Sequence, residues 1–283
     1  MYFRPNTLDE AVHVLASSGG QILAGGTDFF PSLGDRPVTG TVVDISGLGE
    51  LKGVVKQPKH IRIGGLTTWT EVVKTPLPRG FDGLKAAARE IGGIQIQNRA
   101  TVAGNLCNAS PAADSVPPLL TLDADVELVS QAGVRRVALA DFIVGNRKTL
   151  RRPGEILSQI FVPRRVENAA STFLKLGARR YLVISIAMVA AVIRMDSGGR
   201  VTDARVAIGS CSVVARRLPD LEHALIGASV ASVGASPTLG SLATADHLKD
   251  LSPVSDVRAT AAYRCDAALR LVQRALDACA GSS

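Results

Sequence analysis

This chain is organised around one stretch of small residues, Ala100-Thr101-Val102-Ala103-Gly104-Asn105-Leu106-Cys107-Asn108-Ala109-Ser110-Pro111-Ala112-Ala113-Asp114. Its small side chains and its glycine let backbone N–H groups approach a ligand without obstruction by a Cβ atom. Ser110-Pro111 predicts a helix start, with serine as the N-cap and proline at the first helical position. A glycine turn that leads into a helix N-terminus favours an anion, because unpaired N–H groups and the positive end of the helix dipole coincide there.

A second stretch of the same character lies upstream, Ile22-Leu23-Ala24-Gly25-Gly26-Thr27-Asp28-Phe29. Two such loops could hold the two phosphates of a dinucleotide from opposite sides. Neither loop matches the strand–GxGxxG–helix pattern or a Walker A loop, so the common nucleotide folds are not indicated. Taken singly, each loop is equally well explained as an ordinary tight turn.

Composition excludes several classes of protein. With 283 residues and 46% hydrophobic residues, the chain is long enough for roughly two or three subdomains with a substantial core. The net charge is +7, but aromatic residues make up only 4% and no nucleic-acid-binding motif is present. We therefore expect no nucleic-acid partner, and a basic face that suits acidic partner subunits or a phosphorylated cofactor.

Localisation and metal content follow from two simple patterns. The longest apolar run, residues 183–193, is too short to cross a bilayer, and the N-terminus has no signal-like region. We therefore expect a cytoplasmic protein without a membrane span. The four cysteines are scattered without metal-ligand spacing, so no zinc or iron–sulfur site is expected in this chain. The simplest expectation for each is a free, buried thiol: Cys107, Cys211, Cys265 and Cys279.

The order of predicted elements indicates an α+β fold. A helix capped by Thr7, strands near 21–24 and 42–45, and a further set of strands up to 156–162 precede a composition shift near 167–170. We predict a first domain over 1–168, with subdomains of about 1–52 and 53–168, and a C-terminal domain over 169–283. The C-terminal domain is expected to contain an antiparallel hairpin, in which strand 201–208 follows the apolar run 183–193 after a turn at 196–200.

The closing helix carries an apolar stripe at spacings of four and three residues. This stripe is either a packing seam within the domain, which we favour, or a contact with a partner subunit. Its members are Cys265, Leu269, Val272, Leu276 and Cys279.

Together, Leu-Ala-Gly-Gly-Thr-Asp at 23–28 and Thr-Val-Ala-Gly-Asn-Leu-Cys-Asn-Ala-Ser-Pro-Ala-Ala-Asp at 101–114 resemble the FAD-binding medium subunits of the molybdenum hydroxylases. These are the flavoproteins of xanthine, carbon monoxide and aromatic-heterocycle dehydrogenases. The resemblance extends from Phe3-Arg4-Pro5 to the last helix. It implies a two-subdomain FAD-binding (PCMH-like) domain, followed by a C-terminal domain with an antiparallel sheet and packed helices.

The resemblance also implies which residues meet the cofactor. Asp114 is expected at the ribose or adenosine end, and Lys175 beside the flavin, where it stabilises negative charge on the reduced ring. Tyr181, or Leu182 next to it, stands where relatives often carry acidic residues and is expected to pack on the ring. The remaining implied cofactor-binding residues are Leu23, Ala24, Gly25, Gly26, Thr27, Asp28, Ile91, Thr101, Ala103, Gly104, Asn105 and Leu157.

The function implied by the resemblance is electron transfer through FAD, by an oxidoreductase subunit that is active only within a heteromeric complex. A large subunit with the molybdenum cofactor and a small iron–sulfur subunit are the implied partners, assembled as a dimer of heterotrimers. Two alternatives stay open: a self-contained FAD-dependent oxidase, and a nucleotide-binding scaffold without a redox role.

Overall fold

In the computed structural model, which describes residues 1–229 and 238–281, the chain begins with a small parallel sheet. Strands β1 (Tyr2–Phe3) and β2 (Gln21–Leu23) both pair with β3 (Val42–Asp44), which lies between them. Helix α1 (Leu8–Ser18) connects β1 to β2 and packs its apolar face on this sheet, and α2 (Phe29–Leu33) follows β2. The predicted cap is confirmed, because the hydroxyl of the residue before α1 accepts a hydrogen bond from the third helical N–H.

A larger antiparallel sheet follows, in the strand order β4-β5-β10-β6-β7. A separate two-stranded antiparallel ribbon pairs β8 with β9. The strands are β4 (Val54–Lys56), β5 (His60–Gly64), β6 (Asp125–Ser130), β7 (Gly133–Ala138), β8 (Ile143–Gly145), β9 (Lys148–Thr149) and β10 (Ile156–Pro163).

Helices cover one side of this sheet, and all of them except α5 contribute buried side chains to the main core that they form with it. The largest fully buried side chains of this core include Trp69, Phe81, Leu106 and Phe142. The helices are α3 (Trp69–Lys74), α4 (Asp82–Glu90), α5 (Ile94–Gln97), α6 (Val102–Asn108), α7 (Val116–Thr121) and α8 (Leu139–Phe142).

The remaining residues form an antiparallel sheet in the order β11-β12-β13-β14, with a long helix packed on it. Val272, Leu276 and Cys279 of the predicted stripe are buried against this sheet, so the stripe is a seam within the domain, as favoured. None of the helices in the described part of the chain combines the length and apolar character that a bilayer crossing requires. The elements are β11 (Ala170–Leu176), β12 (Ala187–Met195), β13 (Val201–Gly209), β14 (Arg216–Arg217), α9 (Pro219–Leu225) and α10 (Ala261–Gly281).

Two local predictions are wrong. The helix expected at Ser110-Pro111 begins only at Val116, because the Ser110 hydroxyl accepts from the Ala112 N–H and closes a turn instead. The central glycine stretch is itself helical as α6, with Thr101 as its N-cap. The apolar run from residue 183 becomes a strand only at residue 187, since the residues before it form a loop.

All four cysteines are free thiols, as expected, but their burial is uneven. Cys211 and Cys279 are buried, whereas Cys107 and Cys265 are only partly covered. The expectation of burial therefore holds for two of the four.

One carboxylate, in the short segment between α7 and β6, connects this part of the chain to the C-terminal sheet. Asp123, two residues after the end of α7, pairs with Arg205 of β13 at 3.0 Å and with Arg217 of β14 at 2.8 Å. Arg165 also contacts it. The Arg205 side chain is only 6% exposed, and burial lowers its pKa while Asp123 and Asp203 act in the opposite direction. The buried guanidinium therefore depends on these carboxylates for its charge compensation.

Candidate cofactor cleft

A cleft of about 610 Å³ opens between the N-terminal parallel sheet and helix α6. This volume lies within the range of small-molecule sites, roughly 300–1,000 Å³. The two predicted glycine loops, about eighty residues apart in sequence, both line it. Of the predicted cofactor-binding residues, the cleft is lined by Ala24, Gly25, Gly26, Thr27, Asp28, Thr101, Ala103, Gly104, Asn105 and Leu157.

The first loop offers backbone donors to the cleft. Within residues 1–229 and 238–281, no hydrogen bond uses the N–H groups of Gly25, Gly26 or Thr27. Gly26 has a φ of +78°, which turns the chain away from β2. A Cβ atom on Gly25 would collide with the backbone oxygen of Arg99. Glycine is needed there because the two loops touch backbone to backbone.

The second loop is built differently from the prediction. The N–H of Val102 donates to the carbonyl of Thr67 at 2.9 Å, and that of Ala103 to Gly65 at 3.2 Å. The Gly104 N–H donates to the Thr101 hydroxyl at 3.1 Å. These first N–H groups of α6 are therefore bonded within the protein, so the amide donors for an anion lie on the first loop.

A polar bridge crosses the cleft and was not indicated by the motifs. The Asn108 side chain donates to Asp28 Oδ1 at 2.8 Å and accepts from the Arg147 guanidinium. Arg147, in the turn between β8 and β9, has a φ of +58°, and its own N–H donates to the carbonyl of Ala109 at 2.9 Å. Arg151 also lines the cleft. The net charge of +7 indicated a basic face, but the position of these two arginines at the cleft depends on tertiary contacts.

Asp114 and Lys175 do not line this cleft but contact each other. Lys175 Nζ lies 2.6 Å from Asp114 Oδ2, and both side chains are less than a tenth exposed. The Ser185 hydroxyl donates to the other carboxylate oxygen, Asp114 Oδ1, at 2.5 Å. Burial raises the pKa of Asp114, while Lys175 and Ser185 act in the opposite direction. Two predicted residues thus form one buried network, together with a serine that the sequence analysis missed.

Comparison with known families assigns both parts of the chain. The family described as "FAD binding domain in molybdopterin dehydrogenase" matches residues 1–165, and "CO dehydrogenase flavoprotein C-terminal domain" matches residues 172–279. The chain belongs to the FAD-binding medium subunits of the molybdenum hydroxylases. The resemblance stated from the two motifs is therefore confirmed.

Individual relatives agree with the family match over most of their length. The chain is 35% identical to the xanthine dehydrogenase FAD-binding subunit of Escherichia coli O157:H7, over 96% of this chain and 91% of that protein. It is 34% identical to the nicotinate dehydrogenase FAD-subunit of Eubacterium barkeri, over 80% and 79% respectively. A chain in the structure of reconstituted CO dehydrogenase from Oligotropha carboxidovorans superposes with a TM-score of 0.90 at 26% identity, covering 100% of this chain and 98% of that one. The α+β fold class is thereby confirmed.

The other residues predicted to contact the cofactor do not line the cleft. Leu23 ends β2 beside the cleft, and Ile91 is half-buried directly after α4. Tyr181 lies in the loop 177–184 and is 58% exposed, as is Leu182, whose φ is +50°. A Cβ atom on Gly93 would lie 3.4 Å from the Leu182 side chain, so this loop approaches the segment after Ile91. Their roles in cofactor binding stay predictions.

The cleft fits the cofactor of this family. FAD carries a diphosphate, and free backbone N–H groups on a glycine turn are suitable donors for phosphate oxygens. Gly25, Gly26 and Thr27 supply such donors at one wall of the cleft.

Proposed function

We propose that this chain is the electron-transfer flavoprotein of a molybdenum-dependent dehydrogenase complex, and that it binds FAD in the cleft between its two glycine loops. The observation that carries the proposal is the set of free amides on the first loop, which faces α6 in a chain of this family. Bound FAD supplies one- and two-electron chemistry, so it can connect one-electron centres to a two-electron acceptor.

The residues of the cleft have distinct proposed tasks. The N–H groups of Gly25, Gly26 and Thr27 bind phosphate oxygens, and Leu157 supplies an apolar contact on the cleft wall. Lys175 is the proposed catalytic residue, since a cation near the ring stabilises the negative charge that reduction produces. Tyr181 or Leu182 covers the ring from the loop 177–184.

The 2.6 Å contact between Lys175 and Asp114 bears on where Asp114 acts. Two side chains within hydrogen-bond distance meet the same part of an extended cofactor. We therefore place Asp114 with Lys175 near the flavin and its adjoining chain, rather than at the adenosine end. Ser185 keeps the carboxylate in this orientation.

We also propose the assembly and the domain division. A large subunit with the molybdenum cofactor would oxidise the organic substrate, and a small iron–sulfur subunit would pass the electrons to this chain. The complex would be a cytoplasmic dimer of heterotrimers. The chain itself would divide near residue 168, after the 3-10 turn Arg164–Val166 and before β11.

The test compares the purified chain with the complex co-expressed with its partner subunits. The isolated chain should show the visible flavin absorption and leave xanthine and nicotinate unoxidised, whereas the complex should reduce its flavin with its organic substrate. Steady substrate-driven flavin reduction by the isolated chain would identify a self-contained oxidase instead. A colourless chain that binds no added FAD would favour the scaffold.

A further inference from the structure

We infer that Arg147 and Arg151 form the cationic wall of a diphosphate subsite, and that they bind the phosphate groups of FAD opposite the N–H groups of Gly25, Gly26 and Thr27. This inference rests on the proposed function, because it assigns a part of the same cleft to a part of the cofactor. Neither arginine belongs to either glycine motif.

The need for such a wall follows from charge. A diphosphate brings close to two negative charges into a cleft whose helix N-terminus is closed, since the first N–H groups of α6 are already bonded. Three neutral amides leave most of that charge uncompensated. Guanidinium groups suit phosphate because their planar donors bind two oxygens at once.

The backbone of Arg147 is held in a position that directs its side chain to the cleft. Arg147 has a φ of +58° and Ala109 one of +49°, and the Arg147 N–H donates to the Ala109 carbonyl. Left-handed conformations at two non-glycine residues are costly, and they persist where the surroundings over-determine them. The turn between β8 and β9 is thereby fixed against the end of α6.

Both guanidinium groups retain capacity for an anion. Arg147 lies 3.9 Å from Asp28, and both side chains are more than half exposed, so this pair is weak. Within the described residues, Arg151 forms no ion pair, and its Nη1 donates to the backbone carbonyl of Glu155. The Glu155 carboxylate is already engaged by Arg135. A phosphate oxygen would therefore meet positive charge that the protein has not neutralised.

The experiment measures the affinity of three ligands, FAD, ADP and riboflavin, for the full-length chain from which the flavin has been removed. FAD and ADP carry the diphosphate, whereas riboflavin lacks it. The variants are Arg147→Ala, Arg147→Gln and Arg151→Ala, with Lys148→Ala as the matched control. Lys148 lies in the same ribbon, is exposed and carries the same charge, but it does not line the cleft.

Each arginine variant should weaken FAD and ADP roughly tenfold to a hundredfold, as expected for a lost charge-assisted hydrogen bond. Riboflavin binding and the far-ultraviolet circular dichroism should stay unchanged, and Lys148→Ala should match the wild type for all ligands. The salt dependence of FAD binding should also become shallower in the arginine variants.

Two outcomes would overturn the inference: wild-type affinity for FAD and ADP in the arginine variants, or the same loss in Lys148→Ala. Failure of the wild-type chain to bind FAD would instead overturn the proposed function.

Discussion

At the scale of single residues, the cleft depends on a glycine at the contact between its two loops. A Cβ atom at position 25 would collide with the carbonyl of Arg99, just before the second loop. Gly25→Ala should therefore separate the loops, lower the bound FAD and destabilise the protein by about 1–3 kcal/mol, the usual cost of overpacking. Flavin absorbance per protein and urea unfolding measure the two effects.

The control is Gly49→Ala, at a glycine where a Cβ atom would meet open space. This variant should retain its flavin and its stability. Full FAD occupancy in Gly25→Ala would show that the loops do not need to touch for cofactor binding.

The residues of the cleft differ in how far sequence could predict them. Gly25 and Thr101 were predictable, because a short motif records the backbone conformation that each loop requires. Arg147 was not, since its position depends on a left-handed turn fixed by Ala109, nearly forty residues earlier. Ser185 was not predictable either, because it lies in an apolar run of the sequence and only the tertiary fold places it beside Asp114.

At the scale of elements, the loop 177–184 is fastened at both ends to one carboxylate. Lys175 precedes it and Ser185 follows it, and the two bond to different oxygens of Asp114. Ser185→Ala removes a hydrogen bond to a charged group, worth about 1.5–3 kcal/mol. The loop should open more often, so trypsin should cleave after Arg179 and Arg180 roughly tenfold to a hundredfold faster.

Ser17→Ala is the control, because among the described residues the hydroxyl of this exposed serine bonds only to carbonyls of its own helix. Its digestion pattern should equal that of the wild type. Unchanged cleavage after Arg179 and Arg180 in Ser185→Ala would show that Lys175 alone is sufficient to hold the loop.

Element boundaries show why local signals compete. Thr101 and Ser110 are both good caps, and each is followed by residues that a helix accepts. Thr101 caps a helix because its hydroxyl accepts from the Gly104 N–H, whereas Ala109 adopts a left-handed conformation that ends α6 just before Ser110. The sequence analysis therefore placed a helix start at Ser110, whereas the structure has the helix α6 capped by Thr101 before it and α7 beginning only at Val116.

At the scale of the whole molecule, Asp123 connects the segment after α7 to the C-terminal sheet through its ion pairs with Arg205 and Arg217. Asp123→Asn keeps the shape of the side chain but leaves Arg205 buried with Asp203 as its remaining ion-pair partner among the described residues. Removing one partner of a buried pair is strongly destabilising, so we expect a loss on the order of 3 kcal/mol. Urea or thermal unfolding measures this loss.

Asp220→Asn provides the comparison, because the Asp220–Lys249 pair is mostly exposed and should contribute under about 1 kcal/mol. Equal stability of the two variants would mean that Arg205 finds other compensation when Asp123 is neutral.

The ion pairs of Asp123 with Arg205 and Arg217 also limit which chimaeric proteins can be built from two members of this family. Asp123 lies before the C-terminal sheet in the chain, and Arg205 and Arg217 lie within that sheet. A chimaera that takes its first half from one parent protein and its second half from another takes the residue at position 123 from one parent and the residues at positions 205 and 217 from the other. Such a fusion keeps its charge balance only when these positions are transplanted together. Shuffled flavoproteins should therefore be built from parents that agree at all three.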